Sequence, residues 1–153
     1  MTPAEYASEI IAPTVREFAD SRDDRRRAII ACIVTYSLAE YLRKAGAKQA
    51  WARTRKICAD EADIVQGVCN GSKHCGPDRK TRYPFAPSDA TKRPAAVWGD
   101  AEWDRSLWGD EHGAVEVEHN GKTFDLYLCV KAVLETFRSQ HAAHFESVDF
   151  TGC

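Results

Sequence analysis

The sequence has no long apolar run, little net charge and no basic N-terminal stretch. A bilayer-spanning helix needs roughly 18–20 apolar residues in succession, and no segment approaches that length. The net charge of −2 gives no overall attraction to nucleic acid or to an anionic membrane. Acidic residues interrupt the first apolar stretch, unlike in a signal peptide. We therefore expect a cytoplasmic protein with no membrane association and no cofactor.

The residues that are present are typical of an ordinary globular protein. Of the 153 residues, 44% are hydrophobic and 29% are charged. A chain of this length can bury a core without disulfides or a structural metal. We expect a single helical domain over residues 1–153.

Six cysteines are the next feature, and an even number of them is compatible with disulfides. A chain of this size without an export signal is better interpreted as a reduced protein. Cys32, Cys58 and Cys129 fall within predicted helices, where a free thiol usually behaves as a small buried apolar group.

Four segments have apolar residues at the spacings of three and four that are typical of amphipathic helices. The predicted helices cover about 2–18, 24–45, 48–68 and 126–144. The first begins at a capping box, Thr2-Pro3-Ala4-Glu5, and Pro13 should kink or split it. After the third helix, Asn70-Gly71-Ser72 predicts a turn.

A long loop and a hairpin separate the last two helices. Residues 76–113 hold four of the six prolines and three of the four tryptophans. Asn120-Gly121 lies between two alternating runs and predicts a type I′ hairpin. Its register places Glu116 opposite Asp125, and two facing carboxylates repel each other. Either a cation lies nearby, or the second strand stops before Asp125, which then caps the last helix. We favour the second alternative. The predicted fold is mainly α, an antiparallel four-helix bundle with the 76–126 loop and hairpin inserted before the last helix.

The segment from Cys69 to Cys75 concentrates reactive side chains. Cys69, His74 and Cys75 are candidate zinc ligands, although their spacing matches no standard zinc module. His74 could also activate Cys75 as a nucleophile. The favoured interpretation is a helix C-terminus at which Lys73 and His74 complement the helix dipole.

Charge is divided along the chain. Residues 73–93 contain six Lys or Arg and two acids, whereas residues 97–125 contain eight acids and two basic residues. The basic stretch, with Tyr83 and Phe85 interleaved, is compatible with RNA binding. Its candidate contacts are Lys73, Arg79, Lys80 and Arg82. The favoured alternative is that the two stretches pair with each other or form a solvated face.

Trp98, Trp103 and Trp108 lie within the long loop. They either pin the loop to the helices, which is the commoner case, or form a partner-binding patch, because aromatic anchors supply much of the energy of protein interfaces.

Helix two, the third helix ending in Asn70-Gly71-Ser72-Lys73-His74, the Trp-Gly loop and the final hairpin and helix together resemble small bacterial proteins of the HEPN-like type. That resemblance implies a helical fold and, for active members, a metal-independent RNase in a defence system. Such RNases use an Arg and a His four to six residues apart. Arg138 and His144, and Arg105 and His112, have that spacing. Neither pair begins the third helix, where the class places it, so a non-catalytic binding member fits better.

The last helix also carries His141 and His144 one turn apart. They are candidates for a metal pair or an acid–base pair, but a cationic last turn that complements the helix dipole is favoured. Catalytic candidates are thus limited to His74, Arg138 and His144.

The leading hypothesis is a non-enzymatic helical module that binds a protein partner through the Trp-rich loop and hairpin, in bacterial defence, phage or stress systems. The alternative is a HEPN-like RNA-binding protein or RNase. A homodimer is also possible, because the second helix has enough apolar residues for both a core and an interface.

Overall fold

The computed structural model describes residues 1–74, 83–97, 102, 104, 106–107, 110–146 and 148. The described chain is mainly helical, as predicted, and carries a small antiparallel sheet. The helices are α1 (Pro3–Tyr6), α2 (Ala12–Ala19), α3 (Arg25–Lys44), α4 (Ala50–Ile57), α5 (Ala59–Lys73) and α6 (Leu126–Gln140). The strands are β1 (Thr91–Arg93), β2 (Ala114–His119) and β3 (Lys122–Asp125), in the order β1-β2-β3. No helix in the described part combines the length and apolar character needed to cross a membrane.

The N-terminal segment begins with the predicted capping box, in which Thr2 and Glu5 bond to each other's backbone. A π-helical segment, Ala7–Ile11, then separates α1 from α2, and the N–H of Ala12 bonds to the carbonyl of Ala7. Pro13 follows in the first turn of α2, where its missing N–H is tolerated. The hydrogen-bond pattern of the helix changes just before the proline, which agrees with the expected split there.

Helix α3 forms the centre of the molecule. It begins where predicted, because the Asp24 carboxylate accepts a hydrogen bond of 3.1 Å from the Arg27 N–H. One face is buried against the N-terminal segment, α5 and α6. The buried residues of that face are Ala28, Ala31, Cys32, Thr35, Leu38 and Leu42.

The predicted third helix, over about 48–68, is two helices that meet at Cys58. Cys58 has φ −126° and ψ 74°, outside the helical region. Arg55 and Lys56 lie in the last turn of α4, and Asp60 and Glu61 lie in the first turn of α5, so the charges at the break complement both helix dipoles. This charge pattern favours two helices over one.

The turn predicted at residues 70–72 is also wrong, because α5 continues to Lys73. Gly67 and Gly71 lie on the face of α5 that carries the segment 83–85. A Cβ at Gly67 would collide with the carbonyl oxygen of Tyr83, and one at Gly71 with that of Phe85. The glycines thus permit close approach of another backbone and do not form a turn.

The hairpin has the predicted register, with Glu116 opposite Asp125, and the same register places Val117 opposite Phe124. Asn120 and Gly121 both have positive φ, at 53° and 72°, as a type I′ turn requires. The strand β1 was not predicted and lies in the segment that was expected to be a loop.

The ends of α6 differ slightly from the prediction. Asp125 caps α6 through the N–H of Tyr127, at 2.8 Å, but it is also the last residue of β3. At the other end the helix stops at Gln140, and a 3₁₀ turn follows over Ala142–His144. With α1 and α2 separated, and α4 and α5 separated, an antiparallel four-helix bundle is not confirmed.

Candidate functional site

The segment between β1 and β2, which we call the 94–113 loop, leaves and returns to the sheet at one point. Arg93 and Ala114, which flank the loop, are partners in the β1–β2 ladder. Gly113 has φ 65°, and a Cβ there would collide with the Arg93 carbonyl and the Ala95 N–H group. The two arms of the loop therefore lie in direct contact at its base.

Ion pairs of Arg93 stabilise this base of the loop. The Arg93 guanidinium bonds to the carboxylate of Asp110, which belongs to the loop, and to Glu116 of β2 at 2.6 Å. The side chains of Arg93 and Asp110 are only 15% and 18% exposed. Shielding from water strengthens such a charge-assisted pair. Burial opposes ionisation of Asp110, but hydrogen bonds from Arg93 and from the backbone N–H of His112 outweigh it and hold its pKa below the usual value.

The loop also has internal hydrogen bonds. The Asp110 carbonyl accepts a bond of 2.6 Å from the Ala96 N–H, and the Asp110 N–H donates to the Leu107 carbonyl at 3.0 Å. The Ser106 hydroxyl donates to the carbonyl of Ala95 at 3.2 Å. Leu107 itself is 58% exposed, so an apolar side chain lies in water beside these hydrogen-bonded groups.

A second arginine fixes the other end of the sheet. Arg22, in the connection between α2 and α3, bonds to the Asp125 carboxylate, and its guanidinium lies 4.6 Å from the centre of the Tyr127 ring. Beside it, Asp23 pairs with Lys92 of β1 at 2.7 Å. These pairs connect the sheet that carries the loop to the start of α3, and so to the core.

The expected pairing of the basic and acidic stretches is confirmed at Arg93, which belongs to the first and bonds to two acids of the second. The favoured solution for the facing acids is right only in part: Asp125 caps α6, but β3 does not stop before it, and Asp125 stays paired with Glu116. The other solution, a nearby cation, is also present. That cation, Arg22, was missed. It lies 103 residues from its partner in the sequence, so no local pattern linked the two.

The residues predicted to bind partners or RNA are described only in part. Trp98, Trp103 and Trp108 lie outside the described residues, as do Arg79, Lys80 and Arg82. Lys73 ends α5 and is exposed, and His74 is the exposed residue that follows it. The interpretation of Lys73 and His74 as a cationic helix end agrees with these positions.

The candidate metal ligands do not form a visible cluster. Cys69 is fully buried on the core side of α5, whereas His74 is exposed, and Cys75 lies outside the described residues. Burial raises the pKa of the Cys69 thiol, although Lys73 acts against this. Across the described residues, no three His, Cys, Asp or Glu side chains are placed to hold one metal ion.

The histidines of the last helix lie at its C-terminal end. His141 is buried, and its ring centre is 6.5 Å from that of the half-buried His144. Burial lowers the pKa of His141, and His144 and Arg53 lower it further. Arg138 is exposed on α6. A catalytic role for Arg138 and His144 stays a prediction.

Comparison of the chain with protein-family models, curated proteins and solved structures finds no match. The HEPN-like resemblance is therefore untested. Among the described residues of the 94–113 loop, Leu107 exposes an apolar side chain next to groups that are hydrogen-bonded to the base of the loop, so this segment is the candidate binding surface.

Proposed function

We propose that this protein is a non-enzymatic interaction module that binds a protein partner through the 94–113 loop. Leu107 is the observation that supports this most directly. It is 58% exposed although the loop around it is closed at its base and internally hydrogen-bonded. A loop carried by a folded scaffold is a common way for proteins to present binding residues.

The sequence of the loop supports the same proposal. Trp98, Trp103 and Trp108 belong to this loop by position in the chain, and tryptophan is enriched among the residues that supply most binding energy. Asp104 and Glu111 are exposed near Leu107 in the sequence. A partner surface with an apolar pocket and basic groups would complement them.

RNA binding is the alternative, and the described cations give it less support. Lys92 and Arg93 are the last two cations of the basic stretch, and both pair with carboxylates of this chain. A cation that is engaged in this way is less available to a phosphate. The alternative would have to rely on Lys73 and on cations outside the described residues.

The test is to recover proteins bound to the tagged chain from its native cells, with and without nuclease. Leu107→Ser is the test variant, and Leu128→Ser is the matched control, since Leu128 of α6 is 56% exposed. We expect a protein that survives nuclease and is retained by the wild type and Leu128→Ser, but not by Leu107→Ser. Material that nuclease removes, or equal recovery with both variants, would contradict the proposal.

A further inference from the structure

Both asparagines of the chain, Asn70 and Asn120, are followed by glycine. Glycine has no side chain to shield its backbone nitrogen, so in this dipeptide the nitrogen can attack the side-chain amide of the asparagine. The fold places the two dipeptides differently. Asn70-Gly71 lies within α5, whereas Asn120-Gly121 forms the exposed turn between β2 and β3. The same local chemistry therefore has two structural settings.

The helix protects Asn70 from this reaction. Gly71 lies inside α5, where each backbone N–H donates to a carbonyl one turn earlier. The Asn70 carbonyl accepts a hydrogen bond of 3.1 Å from the His74 N–H, and Gly71 is buried against the backbone of Phe85. The Gly71 nitrogen can therefore reach the Asn70 side chain only when this part of α5 unfolds and separates from Phe85.

The hairpin turn leaves Asn120 accessible. Asn120 and Gly121 are both exposed, and a Cβ at Gly121 would meet no described atom within 4 Å. These two residues alone lie between the paired His119 and Lys122. Bringing the Gly121 nitrogen to the Asn120 side chain thus requires a rearrangement of an exposed turn, without the opening of a helix or of the core.

We propose that Asn120 is a site of spontaneous deamidation in the folded protein, whereas Asn70 is protected. The Gly121 nitrogen attacks Cγ of Asn120, and the bond between Cγ and Nδ2 breaks. Nδ2 leaves as ammonia, which takes up through the solvent the proton that the Gly121 nitrogen loses. Water then opens the cyclic imide to aspartate or isoaspartate, so the whole reaction consumes water and releases ammonia. This modification does not depend on the proposed binding function.

The modification should weaken the contact between the hairpin and α5. Nδ2 of Asn120 donates a hydrogen bond of 3.2 Å to Asp60 in the first turn of α5, and it lies 3.1 Å from Nε2 of His119. Deamidation replaces this donor with a carboxylate that repels Asp60. An isoaspartyl link also adds a carbon to the backbone, which a two-residue turn cannot accommodate without changing the hairpin register.

The first measurement is the rate of deamidation at each asparagine, from mass spectrometry of proteolytic fragments of the reduced full chain. Native protein and protein unfolded in guanidinium chloride are incubated in parallel, and the unfolded sample controls for the neighbouring residues. We expect Asn120 to react about tenfold or more faster than Asn70 in the native protein, and the two rates to become similar on unfolding. Equal native rates, or no reaction at Asn120 while the unfolded protein is converted, overturn the proposal.

The second measurement is amide hydrogen exchange along β3, which tests the weakened contact. Asn120→Asp introduces the carboxylate directly, and Asn120→Gly is the matched control, because it removes the donor, adds no charge and suits the positive φ. We expect exchange about twofold or more faster in Asn120→Asp than in Asn120→Gly. The difference should disappear in an Asp60→Asn background. Equal exchange in the two variants, or a difference that persists with Asp60→Asn, overturns the predicted repulsion from Asp60.

Discussion

Glu116 and Asp125 face each other across the β2–β3 ladder, and each carboxylate is paired with a different arginine. Like charges directly opposite each other on two strands are destabilising. Arg93 reaches Glu116 from β1, and Arg22 reaches Asp125 from the connection before α3. An unfavourable local pair is thus stabilised by two cations from elsewhere in the chain, and the contact from Arg22 also fixes the sheet to the helices.

Arg22→Gln should lower the free energy of unfolding by about 2 kcal/mol, because it leaves the mostly buried Asp125 carboxylate opposite Glu116 without a cation. The control is Arg43→Gln, which breaks the exposed Arg43–Glu40 pair and should cost less than about 0.5 kcal/mol. Chemical denaturation measures both. Equal losses in the two variants would show that Asp125 does not depend on Arg22.

Glu116→Gln should be less costly in the Arg22→Gln background than in the wild type. In the wild type the substitution only removes a partner of Arg93, whereas in the variant it also removes the repulsion of an unpaired Asp125. We expect a coupling energy of about 0.5–1 kcal/mol in a double-mutant cycle. Additive effects would mean that the two facing acids do not interact.

Gly71→Ala should destabilise the protein by about 2 kcal/mol, although alanine is the better helix former. The added Cβ would collide with the Phe85 carbonyl and force the segment 83–85 away from α5. Asn70→Ala is the control at the neighbouring, half-buried position and should be nearly neutral. If Gly71→Ala stabilises the protein in denaturation experiments, α5 and residues 83–85 do not pack as described.

His141 should make the protein less stable as the pH falls below about 6.5. Burial is the main cause that lowers its pKa in the folded state, so the unfolded state binds the proton more tightly. The contribution of His141 is therefore complete above the unfolded-state pKa and is lost as the pH drops towards the lower, folded-state value.

The measurement for this prediction is the free energy of unfolding at pH 7.5 and pH 5.5. The decrease should be smaller in His141→Gln than in the wild type. His112→Asn, which replaces an exposed histidine, should leave the decrease unchanged. The same decrease in all three proteins would assign it to other groups.

Local signals predicted the elements that depend on local chemistry. The cap at Thr2, helix α3 and the Asn120-Gly121 hairpin all follow from residues that are close in the sequence. The wrongly predicted turn, by contrast, has a long-range cause. Asn70-Gly71-Ser72 has turn-forming residues, and only the approach of residues 83–85 explains why the glycines lie in a helix.

At the candidate site, too, local features were predictable from the sequence and long-range contacts were not. From composition alone, the tryptophans marked the predicted 76–113 loop as a candidate, and residues 94–113 are its later part. The closure of its base was not predictable, because β1 is only three residues long and pairs with a strand more than twenty residues later. Arg93 appeared as one cation of a basic stretch, and only the fold shows that its partners are Asp110 and Glu116.

Site-specific photo-cross-linking in the native cells tests the central claim most directly. A photoreactive amino acid replaces Leu107 in one variant and the equally exposed Leu128 in another. We predict a discrete protein adduct from position 107 that excess unlabelled wild-type protein suppresses, and none from position 128. No adduct from position 107, or the same adducts from both positions, would contradict a protein-binding role for the 94–113 loop.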